Sequence, residues 1–294
     1  MTEQGGPPPR PARAESREAA ELRAIKADHP ELAEAVDLHL EILELHRRIQ
    51  GRVPLPALDV TEEILTRHNG EGRPVLKFET IPLDLTDLRL MVRQTADVLR
   101  RHGALEDADY QEVQSLGRDM KLVAVVGQWY RSAAESHAMA AVGMGHGSPQ
   151  PATIGAPVSQ VLGLAMRPFL SRCAEVLQQR AELAIWTHAH CALCGGEPDF
   201  SVITPAAERH LICSRCTLRW KFEPLTCPYC RNADRARITS FATPDGRYRV
   251  YACDVCHRYL KAYDGRRASR PVMPLVDGVA TLPLDAAAMQ RGYS

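Results

Sequence analysis

The chain has 294 residues, with 36 Lys and Arg balanced by 36 Asp and Glu. That length accommodates two domains with cores of their own. Zero net charge excludes a global field that would steer the protein to nucleic acid or an anionic membrane. No stretch approaches the run of about 18 apolar residues that marks a membrane helix, and Thr2 to Glu15 is polar and Pro-rich, without the apolar centre of a signal peptide. A cytoplasmic, reducing setting with no stable membrane insertion is therefore expected, where clustered cysteines serve as metal ligands or working thiols rather than structural disulfides.

Residues 1–16 read as a disordered tail, with Pro7 to Pro9 and Pro11 opposing regular structure. Helical signals dominate 17–187. Asp28 and Glu31 have capping-box spacing ahead of an apolar seam at Leu38, Ile42, Leu45 and Ile49, and Asp59 and Glu62 repeat that start signal before Ile64 and Leu65. Leu88, Met91, Val92 and Leu99 predict a helix closed by His102 and Gly103. Another apolar stretch runs from Leu122 to Trp129. The last long helix carries Leu162, Met166, Phe169, Cys173, Val176 and Leu177, with Pro168 expected to bend it. Between them, Ala141 to Pro157 reads as a long mobile loop. Gly143, Gly145 and Gly147 around His146 suggest a phosphate cradle only weakly, because no strand precedes them and no Lys-Ser or Lys-Thr follows.

The character changes at His188. Aromatic and β-branched residues alternate with Arg, turn formers recur, and Pro244-Asp245-Gly246 separates two strand-like runs as in a hairpin, with a further strand at Tyr259 to Tyr263. Between His188 and Arg270 lie 14 basic and 8 acidic side chains, so this part is mildly basic.

Eight of the nine cysteines form four Cys-x-x-Cys pairs here: Cys191/Cys194, Cys213/Cys216, Cys227/Cys230 and Cys253/Cys256. A two-residue gap bends both thiolates of a pair toward one ion, so each pair is half of a tetrahedral site. Eighteen residues separate Cys194 from Cys213, twenty-two separate Cys230 from Cys253, and ten separate Cys216 from Cys227. The longer gaps have ribbon or rubredoxin-like spacing. They favour Cys191, Cys194, Cys213 and Cys216 as one metal site and Cys227, Cys230, Cys253 and Cys256 as the other, with an interleaved grouping as the alternative. Metal would then stabilise modules too small to fold on apolar burial alone, and iron and zinc both accept four sulfurs. The expected organisation is a helical domain (17–187), a first module (188–224), a second module (225–275) and a C-terminal segment (276–294).

Other readings of the same residues remain. Cys253 to His257 spells a c-type haem attachment motif, which needs an oxidising compartment. A Cys-x-x-Cys can be a catalytic dithiol, typically at a helix N-terminus in a βαβ setting that this pattern lacks. His188 and His190 could replace a thiolate, although eight cysteines already complete two sites. His257 is a surface residue or a donor near a sulfur. Cys173 lies on a helical apolar stripe and reads as a buried hydrophobe. Arg231, Arg235, Arg237, Arg247 and Arg249, interleaved with Tyr248 and Tyr251, could bind nucleic acid or form a solvated strand face.

The text Cys191-Ala-Leu-Cys-Gly-Gly-Glu-Pro, Arg209-His-Leu-Ile-Cys-Ser-Arg-Cys with Trp220, Cys227-Pro-Tyr-Cys-Arg-Asn, and Cys253-Asp-Val-Cys-His-Arg-Tyr-Leu-Lys resembles the formate dehydrogenase accessory protein FdhE family. Val276 to Asp285 looks like that family's C-terminal signature, and Gly72-Arg-Pro-Val-Leu like a stretch of its N-terminal half. The resemblance implies a helical N-terminal domain joined to two rubredoxin-like sites, with iron favoured over zinc. It further implies a cytoplasmic, non-catalytic role in maturing a respiratory formate dehydrogenase, an enzyme with molybdopterin and an iron–sulfur cluster. The partner implied is that enzyme's catalytic subunit, engaged before export, and the four Cys-x-x-Cys motifs carry over as the iron-binding positions.

Overall fold

The structure, a computed structural model, describes residues 15–141, 154–267 and 270–294, with only the backbone for 133–141. The Gly-rich segment around His146 and most of the Pro-rich leader lie outside the described residues. A helical N-terminal region is followed by a small β region that carries two four-cysteine clusters.

The helices are α1 (Arg17–Asp28), α2 (Ala33–Gln50), α3 (Glu62–Glu71), α4 (Leu85–Arg101), α5 (Asp107–Leu116), α6 (Leu122–Ala141) and α7 (Ala156–Gln178). Two start signals differ from expectation. Asp28 ends α1 rather than beginning α2, because Ser16 caps α1 by accepting from the Ala19 N–H at 3.2 Å. The residue before Pro30 is pushed out of helical geometry, and Pro30–Leu32 forms a separate 3₁₀ turn with no side-chain cap. Likewise Thr61, not Asp59, caps α3, its Oγ1 accepting from the Ile64 N–H. Helix α4 ends as the sequence predicts, with His102 at its C-cap and Gly103 at positive φ. Ala156 and Pro157 open α7, since proline at the first turn forfeits no helical hydrogen bond.

Helices α2, α4 and α7 bury Ile42, Leu45 and Ile49 against Met91, Val92, Ala96 and Leu99 and against Leu162, Met166, Phe169 and Leu177. Cys173 is fully buried in this core, and burial pushes its thiol up to about 12. The same core runs without interruption through Trp186, Cys191, Cys194, Leu211, Cys213, Cys216 and Trp220. The first cluster is therefore an extension of the helical core.

Six strands follow: β1 (Pro198–Ile203), β2 (Arg209–Cys213), β3 (Arg219–Phe222), β4 (Ile238–Ala242), β5 (Tyr248–Cys253) and β6 (Tyr259–Asp264). They form one sheet in the order β3-β2-β1-β6-β5-β4. Every neighbouring pair is antiparallel except the central one, where β1 and β6 run parallel. The sheet is a duplication. Each half runs cysteine pair, hairpin, cysteine pair, strand. Ser201-Val-Ile-Thr-Pro205 in β1 matches Ser240-Phe-Ala-Thr-Pro244 in β4, and Trp220-Lys221 in β3 matches Leu260-Lys261 in β6. Thr204 and Thr243 play the same part at the two hairpin turns, each hydroxyl accepting from the N–H of the returning strand, Glu208 and Tyr248 respectively.

Residues 274–290 form α8 (Pro274–Ala280) and α9 (Leu282–Gln290), packed against α1, α2 and β5. Asp277, fully buried, holds them. Its carboxylate accepts from the Arg270 guanidinium at 2.6 Å, from the Tyr248 hydroxyl at 2.7 Å and from the Met273 N–H at 2.6 Å.

Candidate metal centres

Each Cys-x-x-Cys closes the same turn. The N–H of its first cysteine donates to the carbonyl five residues on: Cys191 to Gly196, Cys213 to Leu218, Cys227 to Asn232 and Cys253 to Arg258. The carbonyl of that cysteine accepts from the residue after the second cysteine, namely Gly195, Thr217, Arg231 or His257. Those four residues have left-handed backbones, with φ between 56° and 70°. The turn aims backbone N–H groups and both Sγ atoms inward. It also accounts for His257, which holds the left-handed position of the fourth turn. The His257 ring is exposed and stacks on Tyr293.

The four turns meet in two groups, Cys191, Cys194, Cys213 and Cys216 in one and Cys227, Cys230, Cys253 and Cys256 in the other. The grouping is sequential; the interleaved arrangement does not occur. Within each group all four Sγ atoms lie within 4.8 Å of one another. Cross-pair separations are 3.5 Å for Cys191–Cys216 and Cys194–Cys213, 3.7 Å for Cys227–Cys256 and 3.6 Å for Cys230–Cys253. A tetrahedral ion with metal–sulfur bonds of about 2.3 Å requires sulfur–sulfur edges of about 3.8 Å. Both groups match that requirement and could hold a metal ion.

The two centres differ in surroundings. All four cysteines of the first are buried, whereas in the second Cys230 is exposed and Cys256 half-buried. At the first, burial raises Cys191 and Cys216, while hydrogen bonds from neighbouring thiols, Cys191 foremost, pull Cys194 down. Four clustered thiolates repel one another, so a cation is the natural counter-charge. Backbone packing closes this centre. The N–H groups of Val75 and Leu76 donate to the Ala192 and Leu193 carbonyls at 2.9 Å, so the Gly72-Arg-Pro-Val-Leu stretch lies along the first turn. A Cβ added to Gly196 would stand 2.8 Å from the Cys213 Sγ, so only glycine fits beside that sulfur. The Arg215 side chain lies 4.0 Å over Trp129 and donates to the Trp129 and Tyr130 carbonyls. A cleft of about 560 Å³ bordered by Arg67, Arg73, Lys77, Tyr130 and Arg131 reaches Cys194.

The second centre is held by Asn232, whose side-chain amide donates toward the Cys253 Sγ, and by a bridge to the first half. Arg258 lies 3.6 Å over the Tyr229 ring and forks onto the Glu197 carboxylate, and the Tyr229 hydroxyl donates to the Pro198 carbonyl.

His188 and His190 are second to the thiolates only in sequence. Their Nε2 atoms pair with the Asn69 and Gly72 carbonyls at 2.6 and 3.0 Å, tying α3 to the first turn. The arginine–tyrosine set is dispersed rather than gathered on one face. Arg231 packs on Phe222, Arg249 pairs with Asp264, Arg247 pairs with Asp245, and Tyr248 is buried against Asp277. Asn69 supports the first centre without any motif of its own, whereas Gly196 and Glu197 lie within the first cysteine motif and Asp277 within the C-terminal signature, although nothing local in those stretches records their contacts. The duplicated Ser-x-x-Thr-Pro is a further signal, which marks the equivalent strands.

Comparison with known proteins agrees with this architecture. No family model matches the chain. A protein from Pasteurella multocida (strain Pm70) called Protein FdhE homolog is 29% identical over 105 residues, covering 35% of this chain and 34% of that protein. The crystal structure of the FdhE protein from Pseudomonas aeruginosa superposes with a TM-score of 0.60 at 18% identity, over 95% of this chain and 92% of that one. Both relatives are FdhE proteins. The chain resembles the FdhE family in its motifs and shares the fold of that FdhE structure over 95% of its length. The sequence match to the curated relative spans about a third of that protein, while the structural match spans nearly all of its counterpart. Among the described residues no helix is long and apolar enough to cross a membrane.

Proposed function

We propose that this protein is an accessory factor for assembly of a respiratory formate dehydrogenase containing molybdenum and an iron–sulfur cluster, engaging its catalytic subunit in the cytoplasm before export. In this reading Cys191, Cys194, Cys213 and Cys216 ligate one metal ion and Cys227, Cys230, Cys253 and Cys256 a second. The favoured metal is iron, and zinc fills the same sulfur set. The observation that carries the reading is the conjunction of two four-thiol groups of tetrahedral dimensions with the FdhE fold and motifs.

The chemistry supports a role without turnover. Four protein ligands fill a tetrahedral ion, leaving no position for substrate or a reactive water. Bound iron would supply a one-electron couple; the chain's own part is to fix four sulfurs with backbone N–H groups pointed at them. A catalytic dithiol fits less well, because the cysteine pairs sit in turns beside strands rather than at α-helix N-termini. The helical domain and the two cysteine modules then act as one platform, with the first cluster set in the helical core and the two halves joined in one sheet.

The test is replacement of Cys227 and Cys230 by Ala in the host. Formate dehydrogenase activity should fall while synthesis of its subunits continues, and the purified variant should keep one ion of two. Full activity in that strain would refute the assignment.

A further inference from the structure

The duplication shows where a partner strand can add. Strand β1 of the first half is bordered on its outer side by β6, which runs parallel to it, and Ser201 Oγ donates to the Lys261 carbonyl at 3.1 Å to fasten the pair. The equivalent strand of the second half, β4, ends the sheet. Its equivalent serine is Ser240. The inner ladder fixes which groups face out: the Asp254 N–H donates to the Arg237 carbonyl and the Thr243 N–H to the Tyr248 carbonyl. Alternation along an antiparallel pair therefore turns the N–H and C=O of Ser240 and Ala242 outward. Among the described residues nothing bonds to them or to the Ser240 hydroxyl.

The opposite edge is treated differently. There the Arg219 N–H of β3 donates to the Gln178 side chain of α7. Sheet edges in soluble proteins are usually blunted by lysine, proline or a bulge. Strand β4, Ile238-Thr239-Ser240-Phe241-Ala242, has none of these and keeps a continuous register. Immediately before it, Arg235 and Arg237 are exposed and have no carboxylate partner among the described residues. An unblocked strand edge flanked by unpaired guanidinium groups matches an extended polypeptide bearing carboxylates.

We propose that β4 is a docking edge that accepts an extended acidic segment of the client polypeptide as a seventh strand, parallel to β4, as β6 lies on β1. The proposal deepens the assembly-factor reading and rests on it. Backbone hydrogen bonds through Ser240 and Ala242 provide sequence-tolerant affinity, and Arg235 and Arg237 select for negative charge. A site of this kind recognises a client while it is still unfolded and releases it once that strand joins its own sheet.

Fluorescein-labelled 15-residue peptides tiling the host formate dehydrogenase catalytic subunit provide the probe, with metal-loaded full-length protein. Acidic peptides should bind, and backbone amide exchange at Ser240 and Ala242 should slow on binding. Ser240→Pro removes an outward N–H while sparing the inner ladder, a position where an edge strand tolerates proline, and should weaken binding at least tenfold with metal content unchanged. The exposed double variant R235E/R237E should weaken it similarly, and decides the matter if Ser240→Pro loses metal. Equal peptide binding by both folded variants would overturn the docking edge and leave the client reading intact. Intact subunit binding with every peptide silent would do the same. Protection at Ser240 and Ala242 that grows with protein concentration alone, or with an oligonucleotide but no peptide, would assign the edge to a second copy or to nucleic acid and overturn the proposal. Failure of both subunit and peptides to associate would remove the client reading as well.

Discussion

Gly196 offers the sharpest perturbation of the first centre. Replacing it with Ala places a Cβ 2.8 Å from the Cys213 Sγ and about as close to the Arg215 side chain, at 3.1 and 3.2 Å. Arg215 can rotate away, but a ligating sulfur cannot, since tetrathiolate sites tolerate only about 0.2 Å in metal–sulfur distance. Reaching ordinary contact needs a displacement of more than half an ångström, so the sulfur or the turn must move. Overpacking of this kind costs about 1–3 kcal/mol, which is roughly 5- to 150-fold in the affinity of the first site. The second site serves as internal reference. Competitive titration with a chromophoric chelator, on protein carrying two zinc ions, should show one tight step weakened by that factor and the other unmoved. Gly278→Ala, where an added Cβ meets nothing within 4 Å, is the control. Two unchanged steps in Gly196→Ala would mean that Cys213 does not ligate metal in this geometry.

Three more outcomes follow from the same geometry. Exposure of Cys230 and partial exposure of Cys256 predict that a chelator removes one ion in a fast phase and the buried one slowly; a single phase for both ions would contradict the asymmetry. Asp277→Ala takes one of two carboxylate partners from the Arg270 guanidinium, which keeps Glu21, and leaves the Tyr248 hydroxyl without its acceptor. The cost is about 1–3 kcal/mol, read as a fall in the urea midpoint, whereas no change in midpoint would show that α8 is held elsewhere. His46, buried with Nε2 against the Leu164 carbonyl, is pushed down to about 3 by burial. The unfolded chain takes up that proton near pH 6.5 and the native chain does not, so stability is intact above 6.5 and falls as pH drops toward 3, by about 2 kcal/mol at pH 5. His46→Gln keeps a donor for the carbonyl and should flatten the pH 7-to-5 decline in urea midpoint; an unaltered decline would refute it.

The eight cysteines and their sequential grouping were legible because ligand spacing is a local property of the chain. Helices with wide apolar stripes, α4 and α7, were equally plain. Helix α1 was not, since it buries only Leu22 and its start depends on Ser16, a residue with no periodic pattern beside it. The joining of both halves into one sheet was hidden for a different reason. A parallel β1–β6 pairing links residues about sixty positions apart, and nothing local records it. The duplicated Ser-x-x-Thr-Pro was visible in the text, but its meaning depends on Ser201 bonding across that long-range pair. His188 and His190 sat beside the first ligand in sequence, yet their rings turn to the α3 carbonyls, an orientation that only tertiary packing sets. Gly196 was visible as a glycine, and its contact with Cys213 was not.

The central claim is that eight thiolates hold two ions. X-ray absorption at the metal edge, with elemental analysis of protein prepared without oxygen, tests it directly. The prediction is two ions per chain, each with four sulfurs at about 2.3 Å. Fewer than one ion per chain, nitrogen or oxygen in the first shell, or disulfides among these eight cysteines would contradict it.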